Sequence, residues 1–326
     1  MALYPLKLSY ITKSMIWGGT KLIDPAYGWN RKSDFTKVGE AWTLTCRPNE
    51  MSIIMNGACH GMTLSEYIDL YGRGVIGDDF KGNTFPLLIK LIDATDKLSV
   101  QVHPDDAYAA RMENGSGKTE MWYIVDAEPG AEIIYGLEPG VSKDRFCQAV
   151  LEREYDGVLH HQPVKAGETY FIPSGMVHAI GAGILIAEIQ QNCDLTYRVY
   201  DYERRQADGS KRQLHPMKAM DVTRVFTDED VNALRFEAAT DEERADPALL
   251  AHCKYFRTRH YVVNRHLDIT PPPGSFLSLQ CVGGDGFIRH SVFNYPFAKG
   301  DNYFIPAGTT PFCLEGDVDV LETSLS

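Results

Sequence analysis

A twelve-residue segment of this chain has an echo near its end. Gly167-Glu-Thr-Tyr-Phe-Ile-Pro-Ser-Gly-Met-Val-His178 aligns without gaps to Gly300-Asp-Asn-Tyr-Phe-Ile-Pro-Ala-Gly-Thr-Thr-Pro311, sharing both glycines and the Tyr-Phe-Ile-Pro run. An apolar run bounded by glycines, with proline at its end, prescribes a strand entered and left by tight turns. The same strand-turn-strand unit is therefore expected twice. One chemically loaded position differs, His178 in the first copy facing Pro311 in the second. We read one working unit and one degenerate copy that packs against it or closes the fold.

The rest of the chain keeps an all-β rhythm. Short apolar runs recur between Gly, Pro and Asn turns, at 51–55, 87–91, 121–125, 131–135, 169–172 and 184–189. Helical patches interrupt them. Thr63 followed by Glu66 is a capping-box signature opening a helix over 63–71, and 142–153 and 227–234 carry helical spacing as well. The polar stretch 237–246 is the expected boundary, giving domains of 1–236 and 237–326.

The charge of -12 argues against nucleic acid as a partner, which needs a basic footprint, while a few placed Lys or Arg side chains can still bind a phosphate locally. No apolar window is long enough for a membrane span, and the first ten residues lack the zones of a secretory signal, so a cytoplasmic protein is expected. Seven scattered cysteines without a CxxC pair predict free thiols, most of them core residues.

The first copy of the echo carries chemistry. Gly167-x5-Pro173-x-Gly175-x2-His178 matches the second cupin motif, in which the Pro-Gly turn aims a histidine into a small β-barrel. Upstream, Gln101 and His103 are two residues apart, so on a strand both side chains share one face. Glu120 adds a carboxylate. Gln101, His103, Glu120 and His178 form a candidate ligand set suited to a divalent first-row metal. One carboxylate against a doubly charged ion leaves positive charge for a developing enediolate.

These residues resemble the type I mannose-6-phosphate isomerases, in the shorter bacterial subgroup. Lys90 and Leu98-Ser-Val-Gln-Val-His-Pro104 are similar to the family's metal-binding strand. Trp17-Gly-Gly, Gly39-Glu-Ala-Trp42, Lys118-Thr-Glu120, His178-Ala, Glu188, Asp194 and Arg198 follow its further elements in chain order. Two departures, Gly-Ser-Gly before Lys118 and Val199-Tyr-Asp-Tyr-Glu after Arg198, fit the shorter subgroup and leave the phosphate-binding residues unassigned.

The resemblance implies a mainly β protein of two cupin (jelly-roll) barrels, the second lacking metal ligands, with a few short helices. It implies one Zn²⁺ per chain at Gln101, His103, Glu120 and His178, and a catalytic Arg198 with Lys118 nearby. It also implies a sugar-phosphate substrate, mannose 6-phosphate or fructose 6-phosphate, and a monomer or homodimer. Lys90, Glu188 and Asp194 are candidates for proton transfer or for supporting hydrogen bonds.

Two other classes fit the ligand set. A non-haem iron oxygenase also uses two histidines and a carboxylate, but gives Lys118 and Arg198 no role. A non-catalytic sugar-binding cupin would hold a structural metal with no exchangeable position. The remaining histidines, His60, His160, His161, His215, His252, His260, His266 and His290, are read as structural.

Overall fold

The computed structural model describes residues 3–27, 33–78, 80–82, 84–206 and 208–326. Two antiparallel sheets face each other in the N-terminal two thirds of the chain. A six-stranded sheet runs in the order Thr169–Ile172, Glu120–Ala127, Ile184–Gln191, Leu87–Ala94, Glu40–Leu44 and Ile11–Lys13. A five-stranded sheet runs Leu159–Pro163, Glu132–Leu137, His178–Ile180, Val100–Val102 and Tyr197–Tyr200.

Leu87–Ala94 and Ile184–Gln191 are buried along their whole length. Their near-continuous apolar sequence is what a strand covered on both faces requires. One cover is the five-stranded sheet. The other includes a seven-stranded sheet formed mostly by the C-terminal residues, with Leu249–His252, Arg257–Ile269, Leu277–His290, Phe293–Ala298, Asn302–Ile305 and Phe312–Ser324. Its seventh strand is Leu6–Lys7, paired with Asn302–Ile305. Phe85 stands 5.3 Å from Phe276 and 6.2 Å from Phe304, and all three lie in one core with Ile89 and Met121.

The helices begin where the sequence places their caps. Thr63 and Glu66 close a reciprocal capping box ahead of Leu64–Tyr71, Ser142 caps Lys143–Glu152, and Thr227 with Asp230 caps Asp228–Arg235. Asp106–Glu113 and Pro216–Val222 are additional helices, the former capped by Asp105.

One expectation needs correction. The run 51–55 is not one strand: only Glu50–Met51 pairs, with Cys46–Arg47, while Ile53 and Ile54 make single bridges to Thr63 and Leu8. The partner is two residues long and leads straight into the turn at Asn49, where φ is +64°, so the ladder has no room to extend. The polar stretch 237–246, the expected boundary, is itself structured. It contains the short helix Asp241–Arg244, and Glu243 pairs with His252 at 3.0 Å, Arg257 at 3.3 Å and Arg259 at 3.4 Å, pinning it to the seven-stranded sheet.

The echo survives as geometry. Gly167 and Gly300 have φ of +89° and +88°, and Gly175 and Gly308 have +91° and +82°, conformations that glycine alone adopts without strain. The turn closing on Pro173 is held by Met176 N donating to Pro173 O at 3.1 Å, and its counterpart by Thr309 N donating to Pro306 O at 3.1 Å. After these turns the first copy continues into His178–Ile180 and the second, past Pro311, into Phe312–Ser324.

Candidate metal centre and active site

Two cross-strand rows face each other between the sheets. On the five-stranded sheet, Tyr135, His178, Gln101 and Arg198 are in register on four adjacent strands. On the six-stranded sheet, Trp122, Glu188, Lys90 and Trp42 are in register on four others. Side chains directly opposite on adjacent strands share one sheet face, so strand pairing alone gathers the polar groups. Glu120 precedes Trp122 by two residues and points to the same side. The rings of Trp122 and His178 meet edge to face across the gap, 5.4 Å apart.

His103, Glu120 and His178 converge with their ligand atoms within 4.8 Å of one another, all buried. His103 Nε2 is 3.6 Å and His178 Nε2 is 3.4 Å from the Glu120 carboxylate. Each imidazole is oriented from behind, His103 Nδ1 by Leu195 O at 2.7 Å and His178 Nδ1 by Met176 O at 2.8 Å. A carbonyl only accepts, so each Nδ1 carries the proton and each Nε2 lone pair points into the centre. Burial keeps both rings neutral, His103 well below the usual histidine range with Lys118 adding to the effect, and His178 down to about 4.

Glu120 is fully buried, and burial lifts its carboxyl above the usual range despite Lys118. Lys118 Nζ lies 2.6 Å from its Oε2, yet neither carboxylate oxygen accepts a well-formed hydrogen bond. Two inward imidazole lone pairs and two under-satisfied carboxylate oxygens are the donor set of a divalent metal. Gln101 completes the circle with its amide nitrogen 3.4 Å from His178 Nε2, and a half-turn of the amide would present oxygen instead.

The other predicted residues separate into two groups. Lys118 stands at the centre, 3.3 Å from His103 Nε2. Lys90 and Glu188 pair at 3.0 Å, with Trp122 Nε1 donating to Glu188 Oε1 at 3.1 Å. Burial opposes the Glu188 carboxylate, but Lys118, Lys90 and these hydrogen bonds overcome it and bring its pKa down to about 2. Arg198 occupies the row beside Gln101 with its Nε buried and unpartnered, and burial followed by Arg212 weakens its hold on the proton. Asp194 is not brought in: its carboxylate is 61% exposed and pairs with Arg47 at 2.8 Å, away from Arg198.

Among the described residues one further cluster has metal-ligand chemistry, His266, Cys313 and Glu315 on the seven-stranded sheet. There Glu315 is already paired with Arg289 at 2.7 Å, and no residue is fully buried.

Residues 5–130 match the family model for the catalytic domain of type I phosphomannose isomerases, and 248–324 match that for the mannose-6-phosphate isomerase cupin domain. The mannose-6-phosphate isomerase ManA of Bacillus subtilis (strain 168) is 38% identical over 326 residues, the whole of both chains. The chain belongs to the type I mannose-6-phosphate isomerases. Another member, from Streptococcus mutans, is 37% identical over 97% of each chain. The crystal structure of the Bacillus subtilis mannose 6-phosphate isomerase superimposes with a TM-score of 0.86 at 33% identity, covering 98% of this chain and 99% of that one. An apo mannose 6-phosphate isomerase from Salmonella typhimurium has the same fold, with a TM-score of 0.77 at 14% identity and full coverage of both chains.

For a member of this isomerase family, the sequence reading left out Glu40 and Trp122 as site residues. Glu40 accepts from Trp42 Nε1 at 2.7 Å and gives Lys90 a second carboxylate at 3.8 Å. Its signal is the two-residue spacing to Trp42, which becomes informative only once the strand is known to pair with Leu87–Ala94.

Proposed function

We propose that this chain interconverts mannose 6-phosphate and fructose 6-phosphate by moving a proton between C1 and C2 of the sugar. The observation that carries the reading is the convergence of His103, Glu120 and His178 beside Lys118 in a chain of this family. A divalent ion held there with Gln101, zinc in our reading and one per chain, supplies Lewis-acid polarisation of the sugar oxygens.

In this reading Lys118 moves the proton and Arg198 stabilises the negative charge of the enediolate. Glu188 is already engaged by Lys90 and Trp122 Nε1, so with Lys90 and Glu40 it orients hydroxyl groups of the open-chain sugar. Asp194, exposed and paired elsewhere, is left to fix the loop before Tyr197–Tyr200. The half-buried Arg198 and the buried lysines argue against an oxygenase, whose chemistry would not use them.

The same reading assigns 1–236 as the working unit and 237–326 as a second unit, in a cytoplasmic monomer or homodimer. No helix among the described residues is long and apolar enough to cross a membrane. The test is a coupled assay of mannose 6-phosphate conversion on the purified chain, before and after chelation and with zinc restored. Turnover that disappears with chelator and returns with zinc is expected. Absence of turnover with every divalent metal tried would reject the assignment.

A further inference from the structure

Lys118 sits in a segment whose backbone is held at three consecutive amides. Gly117 N donates to Asp106 Oδ1 at 2.9 Å, Lys118 N to Pro104 O at 3.0 Å, and Thr119 N to Gln191 Oε1 at 2.8 Å. Gln191 Nε2 in turn donates to the same Asp106 oxygen at 3.1 Å. One carboxylate thus ties down both neighbours of Lys118, one directly and one through Gln191. The approach is close enough that a Cβ on Gly117 would stand 2.5 Å from backbone atoms of Asp105 and Asp106, so only glycine fits.

The second oxygen of Asp106 faces the other unit. Tyr255 OH donates to Oδ2 at 2.7 Å, and Lys254 Nζ lies 3.5 Å from it. Both residues belong to the stretch matched by the family's cupin domain, whereas Asp106 and Lys118 belong to the stretch matched by the catalytic domain. Asp106 is half exposed, so without that phenol its carboxylate would turn toward water and loosen its grip on Gly117.

We infer that Tyr255, acting through Asp106, is a positioning residue for Lys118, so that the second unit completes the active site without contributing a ligand. This gives the second unit a role that packing alone does not. The alignment of an active-site amine is sensitive to sub-ångström displacement, so a single distant hydroxyl can govern turnover.

The inference rests on the isomerase reading for its kinetic arm only. Tyr255→Phe and Asp106→Ala are compared with wild type and with Tyr261→Phe, a control tyrosine on the strand Arg257–Ile269. Hydrogen exchange of the peptide 104–120 is expected to quicken about tenfold in the two test variants and to stay unchanged in the control. In the metal-replete enzymes kcat should fall about tenfold while KM stays within about twofold. Adding Tyr255→Phe to Lys118→Met should cost nothing further, because the phenol acts through the lysine.

Unchanged exchange in folded Tyr255→Phe, or a full additional loss in the double variant, would overturn the inference. Should wild type fail to turn over mannose 6-phosphate, the exchange experiment still decides whether Tyr255 holds the segment.

Discussion

Lys90 and Glu188 lie directly opposite each other on adjacent strands, Nζ 3.0 Å from Oε2, with both side chains less than a tenth exposed. Neither charge reaches bulk water, so each depends on the opposite charges around it, the other foremost by contact, with Lys118 beside Glu188 and Glu40 beside Lys90. Burial works against the Lys90 ammonium, but Glu188 and Glu40 outweigh it and hold its pKa above the usual lysine range. Lys90→Met should therefore cost about 3 kcal/mol or more in urea unfolding. Lys90→Met with Glu188→Gln should recover a good part of that, since the glutamine still accepts from Trp122 Nε1. Equal stability of the single and double variants would show that the pair is not the source of the loss.

Lys118 and Arg198 should fail differently from Lys90. Lys118→Met is expected to lower kcat by about a hundredfold or more, the range of a lost proton-transfer group. Arg198→Lys keeps the charge but loses the planar fork, and kcat/KM should drop at least about tenfold. Both variants should fold, as circular dichroism would record. Full turnover in Lys118→Met would transfer the proton to another group.

Asp93 offers a pH test remote from the metal ligands. It is 1% exposed and accepts from Lys21 N at 2.8 Å, and burial pushes its carboxyl up to about 6 from an ordinary value of 3.8. A carboxyl raised in the folded state contributes stability that is full below its unfolded value and lost as pH climbs through the folded one. Asp93→Asn, which does not titrate, should gain on wild type between pH 4 and 7 by at most about 3 kcal/mol. A stability difference that is flat over this range would contradict the assignment.

The two copies of the echo can be probed with one substitution each. A Cβ at Gly175 would stand 2.9 Å from the Arg224 side chain and 3.0 Å from Val222 O, while at Gly308 the nearest group is Leu3 at 3.5 Å. Gly175→Ala and Gly308→Ala both carry the cost of a positive φ, about 1–3 kcal/mol, and Gly175→Ala adds the clash. Gly175 N also donates to His103 O at 2.8 Å, so the first variant alone should lose metal affinity. Competition with a chromophoric chelator would measure it.

What the sequence made legible is local or periodic. The capping box at Thr63 places the start of its helix because the cap and its partner are three positions apart. Leu87–Ala94 and Ile184–Gln191 announce themselves by unbroken apolar composition. Among the candidate ligands, His178 follows from a turn motif and Gln101 with His103 from a two-residue spacing. The helix Asp106–Glu113 carries little periodic signal, because a single buried residue, Ala109, leaves it almost no apolar stripe. Asp194 enters through the family's order of residues, which carries no geometry, and the chain there turns outward before the strand Tyr197–Tyr200. Nothing local relates Tyr255 to Asp106, which lie 149 positions apart.

The pairing of Leu6–Lys7 with Asn302–Ile305 has a consequence for how the molecule is made. The ion pair of Lys7 with Asp301 spans 294 positions, and Leu8 N donates to Asn302 O at 3.0 Å. A nascent chain emerges from its amino end, so Leu6–Lys7 must wait as an open edge until residues 302–305 have left the ribosome. Closing a loop of that span comes late and slowly. The seven-stranded sheet thus closes only after residues 302–305 have been made, and a chain released before then would keep Leu6–Lys7 available to neighbours.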